Sequence, residues 1–485
     1  MNFQSATPLR RTGSGVIRAL AQITSDEITP AATGPKLNRI RSNISTGPPD
    51  RGTSNEAVPM HRRASRWRPV LCWVAAFFAI GSPMPAASQP DSAGSKLVGT
   101  FAVGPAYQGW SVALSADGRT AIVGGITDNK LTGAAWVFSQ SSEFWTQQGS
   151  KLIGTGAVGQ GGQGASVTLS ADGNTAVVGG PYDDSMTGAA WVYARSSGRW
   201  TQQGGKLVGT GAIGNATQGT SVALSADGNT LIVGGTEDNK GIGAAWVFTR
   251  NGGSWTQQGS KLVGSDAIGI ASAGASVALS ADGNVAIVGG PHDNSNIGAV
   301  WVFTRASGQW RQQGNKLVGS GAVGRAGQGF SVALSADGNI MIVGGVGDDS
   351  NTGAAWVFTR NGALWTQQGR KMIGTGAVGA AKQGHSVALS ADGNTAMVGG
   401  PYDNSEAGAA WIYTHGGGRW TQQGNKLIGS GAIGRAEHGY SVALSADGNV
   451  AIAGGIADNM VIGAAWVHSR RGGLWAPIAA PALGF

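Results

Sequence analysis

Seven aspartates recur at one spacing: Asp128, Asp183, Asp238, Asp293, Asp348, Asp403 and Asp458, each 55 residues after the last and each followed by Asn or Asp. Carboxylates and amides repeated in this way can hydrogen-bond a glycan, hold a cation or meet a basic partner as a ring of polar groups. These seven are the candidate ligand-binding residues. The plainer chemistry is an Asx turn, in which the carboxylate caps its own backbone. Nearby residues vary between copies (Tyr182, Glu237, His292, Gly347, Tyr402, Ala457), which suits tuned recognition and drift alike.

Other reactive groups are sparse. His292, His385, His415, His438 and His468 occupy different repeat positions and show no metal-ligand spacing. There is no Gly-x-Ser-x-Gly elbow, no paired-carboxylate constellation and no phosphate loop of the Walker type. No catalytic residue, metal site or cofactor is therefore assigned. One further position is variable and aromatic-rich: Trp110, Phe330 and Tyr440 follow a glycine where other copies hold Ala, Thr or His385. Such side chains would face either the axis of the assembly or a neighbouring repeat.

The elements that carry these residues follow from the repeat. Trp136, Trp191, Trp246, Trp301, Trp356, Trp411 and Trp466 mark a 55-residue period without insertion or deletion, and a second Trp follows each by nine residues. A fixed period of this size signals stacked units that cannot bury a core alone. In the copy Gln163–Gly209, Ser166-Val-Thr-Leu-Ser alternates as a strand and Asp172-Gly173 reads as a tight hairpin turn. Thr175-Ala-Val-Val-Gly-Gly is a second strand, Ala189-Ala-Trp-Val-Tyr a third, and the segment from Trp200 through Lys206-Leu-Val-Gly a polar fourth. Four short strands per unit, seven units and no helical period predict an all-β, seven-bladed β-propeller. Its two Trp per blade are expected in the packing, although they could also stack on sugars. The first copy begins at Lys96-Leu-Val-Gly without a preceding Trp-Thr-Gln-Gln, and the last ends after Trp475 without Lys-Leu. These halves complement one another, so the termini are expected to share the outer edge of the last blade.

Composition bounds the rest. The net charge of +8 is concentrated in residues 1–95, which hold 11 Lys and Arg against 5 Asp and Glu; the remainder holds 23 against 21. The repeat body thus lacks the basic footprint of a nucleic-acid binder. The single cysteine, Cys72, precedes the repeats, so they contain no disulfide. Residues 1–59 are rich in Ser, Thr, Pro, Gly and Arg and are expected to be disordered or to represent an over-extended reading frame upstream of Met60. Residues 60–88 show a basic segment, a 12-residue apolar run from Val70 and a small-residue zone, which is the pattern of a signal peptide rather than a membrane span. Cleavage is expected near Ala86–Ser88, leaving residues 89–485 as the exported propeller, with the repeats running from 96.

The string Gln-Gly-x-Ser-Val-Ala-Leu-Ser-Ala-Asp-Gly-Asn, then Ala-Ile-Val-Gly-Gly, Gly-Ala-Ala-Trp-Val-Phe and Trp-Thr-Gln-Gln-Gly-x-Lys-Leu resembles the FG-GAP repeat, in its bacterial form related to integrin α-subunit propellers. The resemblance spans all seven copies and implies a propeller at or outside the cell surface, usually acting in recognition. The Phe of the motif is mostly replaced by Gln, as at Gln108, Gln163, Gln218 and Gln328. Each hairpin offers one carboxylate, such as Asp117 or Asp392, whereas Ca²⁺ takes about 6–8 oxygens, so calcium is not expected there. A kelch-type propeller is the alternative relative.

The resulting expectation is an exported, non-enzymatic, monomeric binding or adhesion module, secreted, periplasmic or surface-held. It would recognise an extracellular glycan, polymer or protein multivalently. It would bind no nucleic acid and keep no membrane span after cleavage. The rivals are a propeller hydrolase or lyase with an axial site drawn from His385, Glu406, Glu437 and His438, and a structural envelope protein.

Overall fold

A computed structural model describes residues 96–142 and 144–477. The expectations for the segments 1–59 and 60–88 lie outside the described residues. In the second copy, Ser166–Leu169, Thr175–Gly180, Ala189–Ser196 and Arg199–Gln202 form one antiparallel sheet in that order. The pattern holds in every copy, so seven such sheets form a seven-bladed β-propeller. First strands of successive blades face one another around the axis. The second strand is buried along its whole length because a neighbouring blade covers each face. This is why Thr-Ala-Val-Val-Gly-Gly shows no polar alternation.

Two local readings are corrected. The fourth strand stops at Gln202; the chain turns through Gly204, at φ +75°, and only then does Leu207 pair with Ala190. The Asp-Gly hairpin is wider than a two-residue turn. Ser170 N–H donates to Thr175 O at 2.9 Å, and only Gly173 takes positive φ, +65°. Ser170 Oγ organises that turn by accepting the Thr175 N–H at 2.9 Å and donating to Asp172 Oδ1 at 2.5 Å.

Two closed belts of hydrogen bonds run around the axis. In one, Ser166 Oγ donates to Gly219 O of the next blade at 2.8 Å; every blade repeats this, and Ser441 Oγ to Gly109 O at 2.7 Å joins last to first. In the other, Ala171 N–H donates to Ala226 O at 3.0 Å, and the series closes through Ala446 N–H to Ala116 O at 2.9 Å. The outer edge closes as well. Lys96 and Leu97 pair with Trp466 and Ala465, while Leu474–Pro477 pairs with the far half of the same strand. The termini do share the last blade, whose sheet has five strands.

The first Trp of each copy is the largest buried side chain of its blade, at 0–1% exposure. A glycine-rich linker crosses over it. Trp191 Nε1–H donates to Thr155 O at 2.9 Å, and a Cβ on Gly154 would fall 2.1 Å from the Trp191 ring. Glycine is required at Gly154 for close approach rather than for backbone freedom. By contrast a methyl group added at Gly149, where φ is +67°, would have nothing within 4 Å. Gly154→Ala should therefore cost about 1–3 kcal/mol through overpacking, and Gly149→Ala only the left-handed strain of about 1 kcal/mol. Urea denaturation of the two variants checks the ranking; equal losses would contradict the contact with Trp191.

Candidate functional site at the axial mouth

The seven aspartates form a ring, but their side chains are 0–1% exposed. Asp183 Oδ1 accepts the Val158 N–H at 2.7 Å, and Lys206 Nζ stands 2.5 Å from Oδ2. Every copy repeats both contacts. Asp128 pairs with Lys151, Asp238 with Lys261, Asp293 with Lys316, Asp348 with Lys371, Asp403 with Lys426, and Asp458 with Lys96 at the closing edge. The carboxylates thus clamp the linker and the outer strand of their own blade. The expected Asx cap is replaced by an ion pair whose Lys lies 23 residues further on in the repeat.

The second residue of each pair has a separate role. Asp184, Ser185 and Met186 take φ of +48°, +55° and +72°, a left-handed turn that recurs in every copy. L-residues resist this conformation, and Asn and Asp tolerate it best. That explains Asn or Asp at its first position throughout. Asp184 N–H donates to Val158 O at 2.9 Å, so the strained turn and the buried carboxylate hold the same linker residue.

The face that carries these loops and the linkers differs from the hairpin face. Val98 and Val103 and their Val or Ile equivalents in all other copies are 37–59% exposed, giving two rings of seven apolar side chains. At the centre of this face the near-identity of the blades breaks down. Phe330, His385, Tyr440 and Trp110 stand at the head of the innermost strands of four consecutive blades. Their centroids are 5.0 Å apart for Phe330–His385, 4.5 Å for His385–Tyr440 and 5.1 Å for Tyr440–Trp110, with tilts near 50°. Tyr107 extends the series edge-on to Trp110 at 6.4 Å. The remaining three blades place Ala165, Thr220 and Ala275 there. One side of the mouth is an aromatic arc and the other is open. The position before the Gln-Gly or His-Gly pair borders the arc with Lys382, Glu437 and Tyr107; burial, then the charge of Glu437, raises the Tyr107 hydroxyl pKa above its ordinary value. Beside Tyr107, at the seam between the last and first blades, a cavity of about 580 Å³ is lined by Val103, Pro105, Leu131 and Val461.

Of the residues an axial enzyme would draw on, His385 and Glu437 stand at this mouth. Glu406 pairs with Arg435 at 2.8 Å on the rim. His438 is fully buried inside the last blade, its Nε2 3.3 Å from that of His468. Neither Nδ1 has a hydrogen-bond partner. Burial, then repulsion from His468, holds His438 well below the ordinary imidazole pKa, and burial lowers His468 to about 4. The second Trp of five blades latches onto its neighbour, as where Trp255 Nε1–H donates to Gln203 Oε1 of the preceding blade at 3.1 Å, whereas Trp145 and Trp475 in the first and last blades have no hydrogen-bond partner at Nε1 among the described residues. Among the described residues no three His, Cys, Asp or Glu side chains gather as a metal-binding group. The hairpin carboxylates are engaged locally, as Asp117 Oδ1 is by Ser115 Oγ and Arg119 N.

The aromatic arc was legible only as a variable position; that adjacent blades bring its members into contact follows from ring geometry. No protein-family model matches the chain, and no curated protein matches it. A propeller shape alone does not name a family or an activity.

Two outcomes follow from these contacts. Asp183→Ala leaves the Lys206 ammonium and the Val158 amide without their partner and should cost about 3–5 kcal/mol in urea denaturation; a loss under about 1 kcal/mol would show the pair to be dispensable. For the histidine pair, folded pKa values lie below the unfolded value of about 6.5. The unfolded chain then binds more protons, so stability is complete above about pH 6.5 and declines as pH falls toward 4. His438→Gln/His468→Phe installs residues that other blades use and should flatten melting temperature between pH 4 and 7; an unchanged slope would assign acid sensitivity elsewhere.

Proposed function

We propose that the protein is an exported, non-catalytic recognition module of FG-GAP kinship that engages an extracellular glycan or protein through the linker face. The observation that carries this reading is the arc at the mouth. Seven blades that agree closely along their strands differ at this central position, as they do at the residue beside each loop Asp, and here the divergent residues form a contiguous aromatic surface. A packing role alone gives no reason for the asymmetry, because Ala165, Thr220 and Ala275 serve the same fold position. Aromatic side chains supply large contact area with a polar edge, the composition of binding hot spots. The rings of exposed Val and Ile make this face the more apolar one, and extended apolar patches mark interaction sites. They recur in every blade, so secondary, multivalent contact with a displayed polymer would occur around the mouth.

The seven aspartates enter this reading as scaffold: they hold the linkers from which the face is built. Among the described residues no helix is long and apolar enough to cross a membrane.

The test compares adsorption of the full chain and of Trp110→Ala/Tyr440→Ala to immobilised cellulose, chitin, alginate, mucin and collagen. Adsorption of the parent to at least one surface, reduced about tenfold or more in the variant at unchanged melting temperature, is expected. Equal adsorption by both would contradict recognition at the mouth.

A further inference from the structure

We infer that the ligand of the mouth is a neutral saccharide chain, laid along the arc from Phe330 to Trp110 with one sugar unit seated in the seam cavity beside Tyr107. This deepens, and rests on, the reading of the mouth as the recognition site.

The geometry has three parts. The first is a curved tread of rings. Successive centroids lie 4.5–5.1 Å apart and successive planes tilt by about 50°. No two rings stack face to face, so the arc does not consume its own faces by internal stacking. Phe330 is 36% exposed, and His385, Tyr440, Trp110 and Tyr107 are half-buried, held by the backbone yet in contact with solvent. Pyranose rings present apolar C–H faces that pack on such surfaces, as other flat apolar faces do. The second part is the border. Lys382, Glu437 and Tyr107 hold one repeat position on consecutive blades, and their carbonyls accept the backbone N–H groups of His385, Tyr440 and Trp110 at 3.1 Å, which ties an ammonium-, a carboxylate- and a phenol-bearing residue to the arc. Lys382 Nζ lies 4.0 Å from the centre of the Tyr402 ring, which keeps that ammonium on the linker face. Donors and acceptors of mixed type along an aromatic track suit hydroxyl groups on both edges of a sugar. The third part is the terminus. The cavity at the seam, about 580 Å³, is a depression open to solvent, which suits the end of a chain that runs on along the surface. Its walls are mainly apolar, with Thr127, Asn129, Gln160 and the one charged group, Lys130, as the polar groups that orient a guest.

Charge selects within the saccharide class. Lys382 and Glu437 oppose one another in sign, and the repeat body is close to neutral, with 23 Lys and Arg against 21 Asp and Glu. Lys130 is the single charged group among the residues lining the cavity and Lys382 is offset by Glu437, so the track carries no cluster of cations of the kind that draws a polyuronate or a sulfated chain. A peptide would be held differently, by apolar anchors in separate pockets, whereas the arc is one continuous surface of ring edges and faces.

The experiment is isothermal titration of the full chain with cellohexaose, xylohexaose, maltohexaose and chitohexaose, read in parallel by quenching of tryptophan fluorescence. At least one hexasaccharide should bind, its dimer should bind at least about tenfold more weakly, and Trp110→Ala and Tyr440→Ala should each weaken binding about tenfold. Phe144→Ala, an exposed ring at an outer turn of the hairpin face, should leave it unchanged. Melting curves identify any variant that fails to fold; His385→Phe, which keeps a ring in the arc, then serves as the milder replacement and should alter affinity without loss of the fold. Failure of all four oligosaccharides to bind overturns the saccharide assignment. If a displayed peptide library then yields ligands that Trp110→Ala abolishes, the mouth stands and the saccharide does not. If saccharide binding is indifferent to Trp110, Tyr440 and His385, both the mouth and this inference fall.

Discussion

Closure of the ring is the constraint on which the rest of this structure depends. A 55-residue unit with two buried faces is not stable alone, and a linear stack would leave two apolar blade faces in water. The chain solves this with hydrogen bonds that return to their starting point. The Ala N–H to Ala O belt ends with Ala446 on Ala116, and the Ser Oγ to Gly O belt ends with Ser441 on Gly109. The strand Lys96–Leu97 supplies the missing outer edge of the last blade. Because each blade must meet the same neighbour geometry, an insertion within an inner strand or its hairpin would break the register of the belts.

The mouth inherits its character from the closure. Tyr440 belongs to the last blade and Trp110 to the first, so the arc crosses the seam, and the cavity beside Tyr107 is lined by Val461 from the other side of it. The aromatic arc therefore exists as one continuous surface only in the closed ring. The buried Asp–Lys pairs serve the same end from the periphery. Each ties a linker to its own outer strand, and in the last blade Lys96 brings the N-terminal strand into the set. Such pairs add little net stability over an apolar substitute but strongly resist the loss of one partner. Their effect is to specify where each linker lies, and hence where the face residues stand.

Much of this was legible from residue types and spacing. Strand number, ring size, the burial of Trp136 and its equivalents, and the sharing of the last blade by both termini follow from the period, from binary pattern and from the complementary ends. The role of the seven aspartates was not legible. The partner Lys lies beyond two strands and the turns that follow them, and no local pattern announces an ion pair over 23 residues. The Asn or Asp after each is better explained by a left-handed turn than by capping, a distinction that requires φ angles. The arc was visible only as aromatic residues at one variable position. Contacts between positions 55 residues apart exist solely because blades are neighbours around an axis. The His438–His468 contact was hidden for a similar reason: the two stand at different repeat positions and meet only within a folded blade.

The most direct test of closure is amide hydrogen exchange, resolved by peptide, on the seven hairpins that carry Ala116, Ala171, Ala226, Ala281, Ala336, Ala391 and Ala446. In a closed ring every one of these amides donates to the next blade, so protection should be uniform, and the last hairpin should exchange as slowly as those in the middle. Protection that falls toward the first and last copies, with the Ala446 amide exchanging rapidly, would describe an open, fraying array and would contradict the closed ring together with the seam-spanning site built on it.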